Sequence, residues 1–246
     1  MTEATTPAAT VPSTYLGLWK RSSIRRQKGA ADTTTQVWWA QSPSFHVDLR
    51  IPPDRPVVAS AADLAWLDDG PFAHFAAQTG FAGLTVVDGV RCDWRPEIAF
   101  PAVSKEIDAG TMRFDSADAL HETGIDGSYE EDWARVAAGP VVGLRLCRAD
   151  GALAYLISGD GWLVWGQGRP GDAFPDTKEW GEFLIARRPA GTDASWPIIA
   201  CNNGWRERET IPGAAIVAMA LSCNVGDDII PHLSGPDAWQ VTAVSR

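Results

Sequence analysis

The sequence predicts an all-β chain of two consecutive antiparallel β-barrels, residues 14–138 and 139–246, with a short helical insertion in the first. Three observations carry this reading. Short apolar runs rich in Trp, Val, Ile and Thr are separated by turn residues at the spacing of a sandwich or barrel. Asp-Gly pairs stand between such runs at Asp88-Gly89, Asp150-Gly151 and Asp160-Gly161. The motif order of the first half is replayed in the second, as in a tandem repeat.

Taken in order, residues 1–13 are mostly Thr, Ala and Pro, a composition that buries too little to order itself, and are expected to form a disordered tail. Strands are expected over 14–22, 34–41 and 45–51. Helical signal is confined to 60–79, where Ser60 can cap an Ala-rich turn and Pro71 can open a second short helix closed by Gly80. A hairpin then pairs 81–87 with 90–95, because a type I′ turn needs φ > 0 at both central positions and Asp-Gly accepts that cheaply. Strands over 111–115 and 129–137 complete the first unit. Ala137-Ala138-Gly139-Pro140 is a plausible boundary.

Beyond it, Asp-Gly turns predict hairpins of 141–148 with 152–158 and of the latter with 162–167. Further strands are expected over 181–187, 195–201, 214–222 and 238–244. The run GAAIVAMAL has helical propensity, but its β-branched content and the flanking Pro212-Gly213 and Cys223-Asn224 favour a strand. The replay is visible as LGLWKRSSI, TTTQVWWAQ and Arg55-Pro56 against VGLRLCRAD, GWLVWGQG and Arg169-Pro170.

Composition narrows the function. Hydrophobic residues make up 45% and charged residues 21%, which excludes a disordered or coiled-coil chain. Twelve Trp against three Tyr demand large apolar spaces or a ligand face, since a buried indole N–H needs a partner. A net charge of −10 repels phosphate backbones and anionic lipid, so neither nucleic acid nor a membrane is an expected partner. The one basic run, Lys20, Arg21, Arg25, Arg26 and Lys28, reads as a solvated strand end and loop. No protein partner is assigned. With no long apolar run and no leader pattern at the N-terminus, a soluble cytoplasmic protein is expected.

Cys92, Cys147, Cys201 and Cys223 are widely spaced without a C-x-x-C pair, and His46, His74, His121 and His232 lack metal-ligand spacing. Neither a metal nor a cofactor is expected. SGDGW and GQGRPGD lack the strand, G-x-G-x-x-G and helix order of a phosphate loop and read as turns. No G-x-S-x-G nucleophile elbow is present.

Two constellations remain. In FHVDLRI, strand alternation puts Phe45, Val47, Leu49 and Ile51 on one face and His46, Asp48 and Arg50 on the other. A polar row facing water would make Asp48 and Arg50 a surface pair of little value. The same row facing a lumen lined by Trp38 or Trp39 would orient a polar ligand. An inward row requires the apolar row to be covered from outside, a task the 60–79 insertion could perform with Leu64, Trp66, Leu67, Phe72 and Phe75. In HETGIDGSYEEDW, Glu122 and Glu131 flank a Gly-containing turn, and Tyr129, Glu131 and Trp133 share a face. A carboxylate beside an indole in a dry barrel could act as general acid or base near neutral pH, whereas a solvated edge strand would only use its charges against aggregation.

The pattern YLGLWKRSS, TTQVWWAQSPSFHVDLRIP, GFAGLTVVDGVRCDW and HETGIDGSYEEDW resembles a small fungal and bacterial family named after a yeast protein that interacts with a casein-kinase-type kinase. The resemblance implies two lipocalin-like barrels in one chain and no settled biochemical activity, and supplies no catalytic residue. The sequence therefore leads to a binding protein for a small apolar or aromatic ligand, held in the first barrel by Trp38, Trp39, His46, Asp48, Arg50, Tyr129 and Trp133. Two alternatives stand beside it: a lyase, isomerase or hydrolase using Glu122 or Glu131, and a scaffold for a protein partner.

Overall fold

A computed structural model describes residues 10–27, 29–64, 66–100, 108–170, 181–191, 195–233 and 235–246. The first half contributes β1 (Gly17–Arg26), β2 (Gln36–Gln41), β3 (Phe45–Ile51), the short helices α1 (Ala61–Leu64) and α2 (Asp69–Ala76), then β4 (Thr79–Asp88), β5 (Arg91–Phe100), β6 (Asp108–Ser116), β7 (Ala119–Gly124) and β8 (Tyr129–Ala137). These eight strands form a closed antiparallel barrel in sequence order, the up-and-down arrangement of lipocalin-type barrels. Closure is made by β1 against β8, with register shifts at Leu18/Trp19 and Arg21/Ser23. Such bulges add local twist and re-aim side chains at a barrel seam.

The second half departs from expectation. It consists of β9 (Val142–Cys147), β10 (Leu153–Gly159), β11 (Trp162–Gln167), β12 (Glu182–Arg187), β13 (Trp196–Cys201), β14 (Thr210–Ile211), α3 (Gly213–Ser222), β15 (Asp228–Ile229) and β16 (Trp239–Ser245). Its sheet runs β14-β13-β12-β11-β10-β9-β16-β15, and among the described residues it does not close into a second barrel. The segment expected as a strand over 214–222 is helix α3. Four alanines supply high helix propensity, and Ile216 and Ala220, one turn apart, bury a common stripe. That stripe packs into a core with Leu144, Leu156, Trp165, Trp196 and Trp239, so a helix occupies the side where a closing strand would be needed.

All three Asp-Gly hairpins form, but none is type I′. Gly89, Gly151 and Gly161 have φ of 59°, 86° and 77°, while the preceding aspartates stay at negative φ. At the first hairpin Asp88 pairs with Arg91, leaving Gly89 and Val90 as a two-residue loop with positive φ at its first position only. The helical insertion also differs in detail: Ser60 does cap, accepting the Asp63 N–H at 3.2 Å, but α2 starts at Asp69 ahead of Pro71, and Gly80 lies inside β4. Residues 1–9 of the expected tail lie outside the described residues. Val11 is buried in the barrel's interior cluster and donates its N–H to the Pro43 carbonyl at 2.8 Å.

The cover for the apolar row of β3 comes from the second sheet rather than from the insertion. Phe45, Val47, Leu49 and Ile51 pack outside the barrel against Tyr155, Ile157, Val164, Phe183 and Ile185. Strands β10, β11 and β12 therefore bury both faces, which is why they read as continuous apolar runs rather than as alternating ones. The insertion packs elsewhere. Leu64 and Phe75 cluster with Val58 and Trp205, Phe75 stacking on Trp205 at 6.3 Å, and Trp66 is exposed.

Candidate functional site

With its apolar row turned to the second sheet, β3 aims His46, Asp48 and Arg50 into the barrel. Alternation on the neighbouring strands adds Trp39 and Gln41 from β2, Phe81 and Thr85 from β4, Trp94 from β5, Glu122 from β7, and Glu131 and Trp133 from β8. A small cleft, partly open to solvent and with enclosed room for about one water-sized body, is lined by Trp39, Asp48, Arg50, Phe81, Trp94, Glu122 and Trp133. The indoles meet edge to face, Trp39 lying 5.7 Å from Trp94 and 5.8 Å from Trp133. Trp38, the other tryptophan of that pair, faces outward into the interface with the second sheet, under the ammonium of Lys20. It does not belong to the lumen, because neighbouring strand residues point to opposite sides.

The polar groups fall into three sets. On β3, Arg50 donates from Nε to Asp48 Oδ1 at 2.8 Å and lies 3.6 Å from Asp108 of β6, its guanidinium above the Phe81 ring. Burial pushes Asp48 up to about 6, a rise that the Arg50 charge opposes without cancelling. Across the seam, Arg21 of β1 donates to Glu131 at 2.5 Å, with both side chains almost wholly buried. Arg21 thus leaves the solvated run to which the sequence assigned it, and Glu131 is tied to a guanidinium.

Glu122 forms the third set. Its Oε1 accepts from the Tyr129 hydroxyl at 2.8 Å and its Oε2 from the Trp133 indole N–H at 3.1 Å. Among the described residues no cation pairs with it. Burial, reinforced by the Glu131 carboxylate, pushes Glu122 from 4.5 up to about 8, while burial and Glu122 itself push Tyr129 well above 10. Two glycines make room for this arrangement. A Cβ at Gly110 would sit 2.8 Å from Glu122 Cγ, and one at Gly124 would sit 2.5 Å from the Tyr129 ring.

His46 stands apart from the cavity lining. Its Nδ1 meets Thr85 Oγ1 at 3.1 Å, Thr85 donates to Gln41 Oε1 at 2.9 Å, and Trp39 donates its indole N–H to the same oxygen at 3.2 Å. Burial pushes His46 down to about 3, so it is neutral and serves to hold Trp39 through this chain. His121 points outward to Asp132 at 2.9 Å. Among the described residues no three His, Cys, Asp or Glu side chains are grouped to hold a metal ion.

The structure brings Trp39, Asp48, Arg50, Glu122, Tyr129, Glu131 and Trp133, which the sequence offered as two separate constellations, to one lumen, and adds Phe81, Trp94, Asp108 and Arg21. Phe81 and Trp94 were within reach, because counting by twos outward from the Asp88-Gly89 turn puts Phe81, Cys92 and Trp94 on the inner wall.

Comparison with known proteins defines the fold. No family model and no curated protein matches the sequence. Among solved structures, an uncharacterized protein from Saccharomyces cerevisiae superimposes with a TM-score of 0.57 at 14% identity, over 93% of this chain and 98% of that one. A lipocalin-like protein from Bacteroides uniformis aligns with a TM-score of 0.33 at 11% identity, over 50% of this chain and 98% of that one. The superposition with the yeast structure runs across both the barrel and the second sheet of this chain. No described helix is long and apolar enough to cross a membrane.

Proposed function

We propose that the first barrel binds a small molecule in its lumen and that the second sheet braces the barrel wall without a lumen of its own. The observation that carries this reading is the convergence of Asp48, Arg50 and Glu122 with Trp39, Trp94 and Trp133 on one cavity. A purely structural interior has little use for two buried carboxyls beside a guanidinium that is about a third exposed, since each buried carboxyl costs desolvation energy. The enclosed space is far smaller than the usual site for a drug-sized ligand, so the reading calls for a small ligand whose entry moves the lining side chains apart. The second sheet's core is filled by Trp165, Trp196, Trp239 and the buried face of α3. The same reading places the chain with the tandem lipocalin-like family that its sequence resembles, supported by the near-complete overlap with the yeast structure.

The experiment is native mass spectrometry of the purified protein for a retained small molecule, followed by a metabolite screen read through tryptophan fluorescence. Expected is a saturable change in emission that Trp94→Leu weakens. Compounds that bind with no effect of Trp94→Leu, or a screen without binders, would refute the lumen reading.

A second reading, an acid/base enzyme, is favoured by Glu122 alone, since a carboxyl titrating near 8 can both hold and release a proton at neutral pH. Turnover of any bound metabolite that Glu122→Gln abolishes while leaving its binding intact would favour the enzyme.

A further inference from the structure

Charge around the lumen is unevenly compensated. Four carboxyl groups, those of Asp48 on β3, Asp108 on β6, Glu122 on β7 and Glu131 on β8, face two guanidinium groups, those of Arg50 and Arg21. Arg21 is committed to Glu131 and lies 3.8 Å from Asp32 as well. Arg50 is committed to Asp48 and Asp108. The other titratable groups facing Glu122 are the Tyr129 hydroxyl from β8 and the Cys92 thiol from β5, both held neutral by burial and by nearby carboxylates. Glu122 is thus the lumen carboxyl whose hydrogen bonds all come from neutral donors, the Arg50 charge acting on it only without contact.

We infer that the lumen takes a small organic cation, an ammonium group seated against Glu122 and among the rings of Trp39, Trp94 and Trp133. The assignment rests on the lumen reading above and adds the charge of the ligand to it. An anion would find both guanidinium groups already engaged by carboxylates. A neutral apolar ligand would leave Glu122 protonated and its free acceptor positions unused. A cation supplies that charge, and each Glu122 oxygen, holding one donor already, has a second acceptor position free for an N–H. Indole rings are the strongest aromatic partners of a cation, and their attraction grows as water is excluded. The guanidinium of Arg50 above Phe81 shows the same lumen already holding one cation over an aromatic ring.

Because Glu122 is mostly protonated at neutral pH, a bound cation displaces that proton, so affinity rises with pH as the carboxyl ionises.

The test compares cations with neutral molecules of the same shape: propylammonium against 1-propanol, and choline, which carries the charge without an N–H, against 3,3-dimethylbutan-1-ol. Binding to the full chain is measured by calorimetry and tryptophan fluorescence. Expected is saturable binding of at least one cation, about tenfold tighter than its neutral counterpart, strengthening from about pH 6 to about pH 9. Glu122→Gln, which keeps the side chain's size but cannot ionise, is expected to cut that preference to what the rings alone supply and to remove its pH dependence. Equal binding of the neutral counterparts, an unaltered preference in Glu122→Gln, or no saturable binding of either cation would overturn the assignment. If instead the metabolite screen yields a neutral or anionic ligand sensitive to Trp94→Leu, the cation assignment fails while the lumen reading stands.

Discussion

Arg21 and Glu131, 110 positions apart in the chain, meet at 2.5 Å across the β1–β8 seam with both side chains buried. The pair sits where the barrel closes, next to the bulge between Arg21 and Ser23. Removing one partner strands the other charge. Glu131→Ala is expected to cost about 3 kcal/mol, at the lower end for a broken buried pair because Asp32 remains within 3.8 Å of Arg21. Glu131→Gln, which retains an acceptor, should cost less. Urea unfolding of the two variants measures the difference, and a loss within about 0.5 kcal/mol for the alanine variant would show the seam to be held by its backbone ladder alone.

Glu122 makes stability depend on pH in a definite direction. Its folded-state value of about 8 lies above its ordinary 4.5, so between those values the folded protein holds a proton that the unfolded chain has released. The stabilisation is full below about pH 4.5, declines through the window and is lost by about pH 8. Glu122→Gln removes this slope. The variant should match the parent near pH 4.5 and exceed it by a few kcal/mol near pH 8, measured as urea midpoints across the range.

Asp48 is buried, but the Arg50 side chain is about a third exposed. A fully buried pair would lose about 3 to 5 kcal/mol on Asp48→Ala, and a surface pair at most about 1. Here the stranded guanidinium keeps water and Asp108, so a loss of about 2 kcal/mol is expected. Chemical denaturation distinguishes the three cases.

Gly110 permits Glu122 to lie along the barrel wall. Gly110→Ala would put a methyl 2.8 Å from Glu122 Cγ, so the carboxyl must move and release Trp133 or Tyr129. A destabilisation of about 1–3 kcal/mol and a shift in tryptophan emission are expected, the latter absent in Gly70→Ala, where the added methyl meets open space.

Several features were legible in local sequence. The hairpins stood on Asp-Gly pairs, and β3 and β8 came out with the ends that alternation assigned them, Phe45–Ile51 and Tyr129–Ala137. The sharing of one face by His46, Asp48 and Arg50 needs nothing beyond a two-residue period. The α3 segment was misread because strand and helix periods are hard to separate in an Ala-rich run, and what decides is the partner that its Ile216–Ala220 stripe finds.

Sequence alone thus determined the mostly-β class, the strand faces and the placing of Asp48 beside Arg50 two residues on, since all follow from local backbone geometry. Which face of β3 looks inward was decided by the second sheet, whose Tyr155, Ile157 and Val164 offer the apolar row a dry partner more than a hundred residues away. The meeting of Arg21 with Glu131, and the isolation of Glu122 among neutral donors, likewise arise only when the barrel closes. Burial and charge compensation depend on neighbours brought from distant parts of the chain, and alternation along one strand carries no information about them.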